Sequence, residues 1–167
     1  TGLPGRRALD ETLERVTGQY AIAMVDVDHF KRFNDRFGHD IGDEALRMVA
    51  SKLARTPGGG RAFRYGGEEF ALLFLRKDAK QAAAHLETLR ESVAAEPFTV
   101  RQPKRTKASK GSGKNKRGAG GGKRVKLTVS IGVSDYASAD GAAEQVMKAA
   151  DKKLYMAKRR GRNCVIC

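Results

Sequence analysis

The sequence is poor in cysteine and has no long apolar run. Its 167 residues include two cysteines, both within the last four positions, which argues against a secreted disulfide scaffold. The longest uninterrupted apolar runs, residues 20–25 and 70–75, are six residues long, whereas a membrane-spanning helix needs about 20. Residues 1–4 provide neither an initiator methionine nor the apolar core of a signal peptide. We therefore expect a soluble piece of a longer protein from a reducing, cytoplasmic compartment; the full-length protein could still be attached to a membrane.

Acidic residues are missing from residues 101–124, which contain ten Lys or Arg and six Gly. This stretch carries most of the net charge of +14, and the remainder of the chain carries only +4. Because it has too little apolar area to offset its ordering entropy, we expect a flexible, solvated insertion. The alternatives are a polyanion-binding arm or a docking segment for a partner. The segment has no aromatic residues for base stacking, so nucleic acid is not expected as a partner.

Several familiar motifs are incomplete. The run Gly-Gly-Gly-Lys-Arg at 120–124 is not a P-loop, because Arg117 occupies the first-glycine position and Arg124 the hydroxyl position. No glycine run completes the dinucleotide pattern G-x-G-x-x-G. The three histidines are too scattered for a metal triad, and Cys164 and Cys167 have no second pair to complete a zinc site. These observations exclude the most common nucleotide and zinc motifs.

The spacing of apolar residues predicts a mixture of helices and strands. Period-two alternation or short apolar runs indicate strands at residues 20–28, 61–65, 70–75, 98–100, 125–136 and 163–167. Helical spacing predicts helices from the Pro4-Gly5 turn to near Gly18, over 30–37, from an Asp43 N-cap onward, and over 78–96 and 142–160. We expect Gly66 and Gly67 to supply the positive φ of a tight hairpin turn. This order predicts one α+β domain over residues 1–167, with helices flanking a central mixed, mostly antiparallel sheet of about five strands.

Carboxylates cluster where two predicted strands end. Asp26 and Asp28 share one face of the first strand, and Glu68 and Glu69 lie in the predicted hairpin turn. If these strands are adjacent, Asp26, Glu68 and Glu69 converge at one edge of the sheet. Oxygen ligands select a hard ion such as Mg²⁺ or Mn²⁺, which completes its shell with substrate phosphates. The pattern indicates metal-assisted phosphoryl or nucleotidyl transfer; the alternative is that these are solvated strand-end and turn residues.

Five motifs, in order, resemble the GGDEF family of diguanylate cyclases. They lie at residues 1–7, 26–43, 64–70, 127–133 and 150–163, and Gly5 stands where the family's entry motif has Asn. The resemblance covers essentially the whole chain except the basic insertion. It implies a fold resembling the palm of nucleotide polymerases and class III nucleotide cyclases. It also implies the synthesis of cyclic di-GMP from two GTP with release of two pyrophosphates.

The resemblance assigns roles to the acidic residues. Asp26 and Glu68 would hold magnesium together with the backbone carbonyl of Val27, and Glu69 would add a ligand or orient the site. Glu68 would also act as the base for the ribose 3′-hydroxyl.

The resemblance also assigns the nucleotide contacts. Asn34 and Asp43 would recognise guanine, because a carboxylate can accept from the N1–H and the N2 amino group together; Asp43 could equally be a helix N-cap. The phosphates would be bound by the backbone of His29 and Phe30, by Lys31, and by Lys158 and Arg162. The alternative for the last two is that they complement the dipole at a helix C-terminus. Gly66 and Gly67 would let the nucleotide approach the turn closely.

The resemblance further implies a catalytic homodimer, in which a second copy of the domain presents the other GTP across a two-fold axis. Many family members carry an R-x-x-D product-inhibition site, but the matching window, residues 57–60, reads Pro-Gly-Gly-Gly. No inhibitory site is therefore expected there. The alternatives are a non-catalytic receptor for GTP or cyclic di-GMP, a polyanion-binding module, and a cyclase with relaxed base choice.

Overall fold

The computed structural model describes residues 1–100, 122–139 and 142–167. Its helices are α1 Arg6–Leu13, α2 Phe30–Phe37, α3 His39–Leu53, α4 Ala79–Ala95 and α5 Ala143–Arg159. Its strands are β1 Tyr20–Val27, β2 Arg61–Arg64, β3 Glu69–Leu75, β4 Phe98–Val100, β5 Lys123–Val125, β6 Val129–Asp135 and β7 Val165–Ile166. Short 3-10 helices cover Pro57–Gly59 and Ala137–Ala139. None of the helices in the described ranges is long and apolar enough to span a membrane.

The main sheet has five strands in the order β2-β3-β1-β6-β7. Strand β1 lies at the centre, antiparallel to both β3 and β6, and all eight of its residues are buried. Of the strand pairs within the described residues, only β6 and β7 run parallel. The predicted α+β class and the mixed, mostly antiparallel sheet of five strands are therefore confirmed.

The sheet has a helical layer on each face. Alternate side chains of β1 point to opposite faces, so Ala23 and Val25 join the core beneath α2, α3 and α4. Ile22 and Met24 join a second core with residues of α1 and α5. By the same alternation, Asp26 lies on the α5 side, at the end of the strand. This alternation brings a carboxylate from the centre of the sheet towards the C-terminal end of α5.

The predicted first helix, the strand over 125–136 and the extent of the basic insertion need correction. Helix α1 ends at Leu13 rather than near Gly18. The predicted strand over 125–136 is two strands, because β5 pairs with β4 in a separate two-stranded sheet, whereas β6 pairs with β1. Residues 123 and 124, assigned to the flexible insertion, therefore belong to β5. The rest of the predicted insertion, residues 101–121, lies outside the described residues.

Candidate active site

A cleft of about 260 Å³ lies at the end of β1, beside the turn between β2 and β3. It is lined by Asp26, Gly67, Glu68 and Glu69. Asp26 is the Cα partner of Glu69 in the β1–β3 pair, and the Val27 amide donates to the Glu68 carbonyl at 3.3 Å. The two strands are therefore neighbours, as predicted, and the three carboxylates line one cleft.

The cleft favours positive charge. Burial raises the pKa of Asp26 above its ordinary value, although the hydrogen bond and charge of Lys158 oppose this increase. Burial also raises the pKa of Glu68, and the neighbouring Asp26 raises it further. Both effects arise because a partly desolvated carboxylate is costly to ionise beside another one. A cation placed in the cleft would relieve this cost.

Helix α5 supplies a cation directly to the cleft. The ammonium nitrogen of Lys158 lies 2.7 Å from Oδ2 of Asp26. The Asp26 side chain is 8% exposed and that of Lys158 is 33% exposed, so the ion pair lies at the edge of the core. Arg162, just beyond the helix, is close enough to act on Asp26 through its charge. Lys158 and Arg162, two of the predicted phosphate contacts, therefore lie near the acidic cleft.

The donor set indicates what kind of metal the cleft suits. Among the described residues, no three or more His, Cys, Asp or Glu side chains are arranged to enclose an ion. The cleft instead offers carboxylate oxygens, from Asp26, Glu68 and Glu69, on a partly open surface. This arrangement fits a hard divalent cation that is held by one or two carboxylates and takes its other ligands from water and substrate phosphates.

The hairpin turn is fixed by backbone and arginine contacts. Arg64 donates to the carbonyls of Gly66 (3.3 Å) and Gly67 (2.9 Å). The amides of Tyr65 and Gly66 both donate to the carbonyl of Glu69. The role of Arg64 was not predicted, because nothing in the sequence pattern identifies an arginine that binds the turn following it.

The predicted positive φ at Gly66 and Gly67 is wrong, since neither glycine adopts it. The turn has four residues between the strands, and loops of this length do not require the primed two-residue turn. At Gly66, a Cβ would lie 3.1 Å from Oε2 of Glu69, a close contact that a small shift of this flexible side chain would relieve. Gly67 has no heavy atom within 4 Å of such a Cβ among the described residues, which leaves room for a ligand.

Asp28 is a structural anchor. It lies just beyond the end of β1, and its carboxylate accepts hydrogen bonds from Thr128 Oγ1 at 2.7 Å and Ser130 Oγ at 2.6 Å. A third bond comes from the backbone amide of Asn163 at 3.0 Å. The sequence does contain a signal for this contact. Thr128 and Ser130 are two residues apart, and in an extended segment this spacing places both hydroxyls on the same face.

The residues predicted to recognise guanine lie on adjoining helices. Asn34 is on α2, and its Oδ1 is buried with no hydrogen-bond partner in the described part of the chain. Gly42 packs so closely on it that a Cβ would overlap Oδ1. Asp43 follows Gly42 and is exposed. The N-cap interpretation of Asp43 is wrong, because α3 already begins at His39 with Gly38 as its N-cap; the φ of 87° at Gly38 favours glycine there.

The remaining predicted phosphate contacts surround the start of α2, two residues beyond β1. His29 is the N-cap and has a left-handed φ of 58°. Phe30 is buried in the core, so it can offer only its backbone to a ligand, whereas Lys31 is exposed. The first turn of a helix presents amides that favour anions. This arrangement is compatible with the predicted phosphate-binding role.

Comparison with known proteins gives clear matches. The family model described as "Diguanylate cyclase, GGDEF domain" matches residues 1–118 and 113–164. The chain is 37% identical over 177 residues to the response regulator PleD of Caulobacter vibrioides, a match that covers 99% of this chain and 34% of PleD.

Two solved structures have the same fold. The GGDEF domain of DgcB from Caulobacter crescentus, in complex with c-di-GMP, matches with a TM-score of 0.81 and 34% identity, covering 99% of this chain and 89% of that one. The active GGEEF domain of a diguanylate cyclase from Vibrio cholerae matches with a TM-score of 0.72 and 26% identity, covering 98% and 96%.

The chain spans about a third of the length of PleD. The family model, in contrast, matches nearly all of the chain, including the Gly-Gly-Glu-Glu-Phe run at 66–70 and the segment that carries Lys158 and Arg162. The chain therefore belongs to the GGDEF domain family.

Proposed function

We propose that this chain is the catalytic domain of a diguanylate cyclase. The observation that carries the proposal is the cleft in which Asp26, Glu68 and Glu69 meet, with Lys158 on its edge. Membership of the GGDEF family and the named cyclases among its relatives support the same reaction. The substrate is GTP and the product is cyclic di-GMP.

The reaction forms two phosphodiester bonds between two nucleotides, in two equivalent steps. The 3′-oxygen of one GTP attacks the α-phosphorus of the other, the bond from this phosphorus to the bridging oxygen breaks, and pyrophosphate leaves. Glu68 accepts the proton of the 3′-hydroxyl, a role that suits a carboxylate whose pKa is raised by burial. Lys158 and Arg162 offset the charge that develops on the leaving pyrophosphate. Repeating the step in the opposite direction closes the ring, so two GTP yield cyclic di-GMP and two pyrophosphates.

The divalent ion is Mg²⁺, or Mn²⁺ in its place. Asp26 and Glu68 would hold it with the carbonyl of Val27, and Glu69 would add a ligand or orient the site. When bound, it would lower the pKa of the 3′-hydroxyl and neutralise charge on the triphosphate.

Asn34 and Asp43 select guanine by hydrogen bonding to the edge of the base. The unpartnered Oδ1 of Asn34 supports this role, because it can accept from the N–H groups on the guanine edge once the half-buried side chain turns away from Gly42. The triphosphate lies against the start of α2, near the backbone of His29 and Phe30 and the Lys31 side chain. Gly66 and Gly67 give it close access to the hairpin turn.

Each domain holds one GTP, so the reaction takes place between two copies related by a two-fold axis. The chain therefore acts as a homodimer during catalysis, in the cytoplasm where GTP is available. Cyclic di-GMP synthesis should consequently rise more steeply than linearly with protein concentration.

The test is to incubate the concentrated domain with GTP and Mg²⁺ and to separate the nucleotides by chromatography. We expect cyclic di-GMP and pyrophosphate from the unaltered chain and none from Glu68→Gln. Efficient turnover of ATP would contradict the roles of Asn34 and Asp43. If a domain fused to a dimerising partner bound GTP but made no product, it would be a non-catalytic receptor and the proposal would fail.

A further inference from the structure

We infer that Lys158 makes metal binding in the cleft depend on the nucleotide, by competing with the metal for Oδ2 of Asp26. This inference rests on the proposed function, because it assumes that the cleft takes a divalent ion and a triphosphate. It adds a role to Lys158 that contact with phosphate alone does not include.

The competition follows from the position of the ammonium group. Its nitrogen lies 2.7 Å from Oδ2 of Asp26, which is full hydrogen-bonding distance. A divalent ion coordinated by the same oxygen would sit about 2.0–2.1 Å from it. Two cations at one carboxylate oxygen repel each other strongly on a partly desolvated surface. The lysine and the metal therefore compete for this oxygen, and each weakens the binding of the other.

The Lys158 side chain can leave Asp26 without any movement of its helix. Gly132 of β6 approaches α5 so closely that a Cβ would overlap the amide of Leu154 and the carbonyl of Ala150. The nearby Lys153 also fastens the helix to the sheet, donating to the carbonyl of Val133 at 3.0 Å. The backbone of α5 is thus held against β6, whereas the Lys158 side chain, 33% exposed, has access to solvent.

The triphosphate offers the displaced ammonium a new partner. Its oxygens carry several negative charges and would lie beside the cleft, within the region that Lys158 and Arg162 face. Transfer of the ammonium from Asp26 to phosphate frees Oδ2 for the metal while keeping the lysine paired. Metal and nucleotide would then bind cooperatively, and by reciprocity each would raise the affinity for the other.

The inference is tested by titrating the domain with Mn²⁺ and following free Mn²⁺ by electron paramagnetic resonance, with and without a non-hydrolysable GTP analogue. Without nucleotide, we expect Lys158→Met to bind Mn²⁺ about 10-fold more tightly than the unaltered chain. A change of this size lies within the usual range of coupling free energies between two sites. The analogue should strengthen Mn²⁺ binding to the unaltered chain much more than to Lys158→Met. Lys158→Arg should behave like the unaltered chain, because it keeps a cation.

The matched control is Lys152→Met, which removes the same charge from an exposed position on the same helix. It should leave Mn²⁺ affinity unchanged. Equal nucleotide-free affinities for the unaltered chain and Lys158→Met would overturn the inference and leave the proposed function standing. Absence of Mn²⁺ binding from all variants, even with the analogue, would overturn both. The expected Mn²⁺ pattern in a domain that makes no cyclic di-GMP would sustain the inference and contradict the proposed function.

Discussion

The backbone amide of Asn163 donates a hydrogen bond to Oδ2 of Asp28 at 3.0 Å, joining the end of β1 to the turn after α5. This turn is unusual, because Gly161, Arg162 and Asn163 all have positive φ. A left-handed conformation costs a non-glycine residue roughly 1–2 kcal/mol. The bond to Asp28 helps to offset that cost and so positions Arg162 near the acidic cleft.

Replacing Asp28 by alanine should therefore destabilise the fold. The substitution leaves two hydroxyls and one amide without their acceptor, and we expect the free energy of unfolding to fall by about 2–3 kcal/mol. Urea denaturation measures this change, with the exposed Asp35→Ala as control. An effect no larger than that of the control would show that Asp28 is not an anchor.

Replacing Asn34 by alanine should separate recognition from stability. Because its Oδ1 has no partner within the described ranges, its loss should not lower the free energy of unfolding. The affinity for GTP should fall by about 10-fold, corresponding to one lost hydrogen bond. Calorimetric titration with a GTP analogue checks the affinity and thermal unfolding checks the stability. Unchanged affinity would remove Asn34 from the guanine site.

Replacing Gly132 by alanine should push α5 away from the sheet. The added Cβ would overlap backbone atoms of Leu154 and Ala150, which cannot rotate away as a side chain would. We expect a loss of about 3 kcal/mol or more in stability, together with weaker GTP binding because Lys158 moves with the helix. Gly5→Ala is the control, since its Cβ would meet no described atom within 4 Å and its φ is −86°. Equal stability of the two variants would contradict the close approach.

The ionisation of Asp135 should make the free energy of unfolding vary with pH in the acidic range. Burial alone would raise its pKa, but hydrogen bonds from Ser138 and from the Ala79 amide, together with the charge of Lys153, hold the pKa below its ordinary value. The folded state therefore binds fewer protons than the unfolded chain, so ionised Asp135 stabilises the fold above about pH 3.9, and this contribution is lost as the pH falls through the folded-state pKa.

Asp135→Asn should consequently lower the free energy of unfolding by about 1–2 kcal/mol at neutral pH. The difference from the unaltered chain should shrink below about pH 4. Urea denaturation across this pH range measures both effects, with the exposed Asp151→Asn as control. A difference that stayed constant with pH would disprove the role of the ionised carboxylate.

The fold was predictable from the sequence wherever the spacing of apolar residues matches the positions that are buried in the folded domain. The fully buried β1 and the stripes of α4 and α5 follow directly from apolar spacing. The division of residues 125–136 between two sheets did not, because partner choice depends on strands far away in the chain. The start of α3 was placed too late because Asp43 is a good N-cap type, whereas the helix actually begins after Gly38.

The meeting of Asp26, Glu68 and Glu69 in one cleft was predictable from the sequence, but the contacts of the neighbouring residues were not. Strand alternation predicted Asp26 and Asp28 on one face, yet it could not reveal that the Asp28 carboxylate is hydrogen-bonded by the hydroxyls of Thr128 and Ser130 and by the turn after α5. Nor could spacing show that Lys158 pairs with Asp26, since 132 residues separate them and only the packing of α5 on the sheet brings them together.

The two-stranded sheet offers a site at which a second protein could be inserted into the domain. Val100 and Lys123 are Cα partners, so the end of β4 and the start of β5 lie side by side. Strand β4 contacts α2, with the ring centroids of Phe98 and Phe33 5.9 Å apart, and Phe33 is next to Asn34 in sequence. A circularly permuted fluorescent protein inserted there would sit next to the proposed guanine-binding helix, and nucleotide binding would become an optical signal in a genetically encoded biosensor.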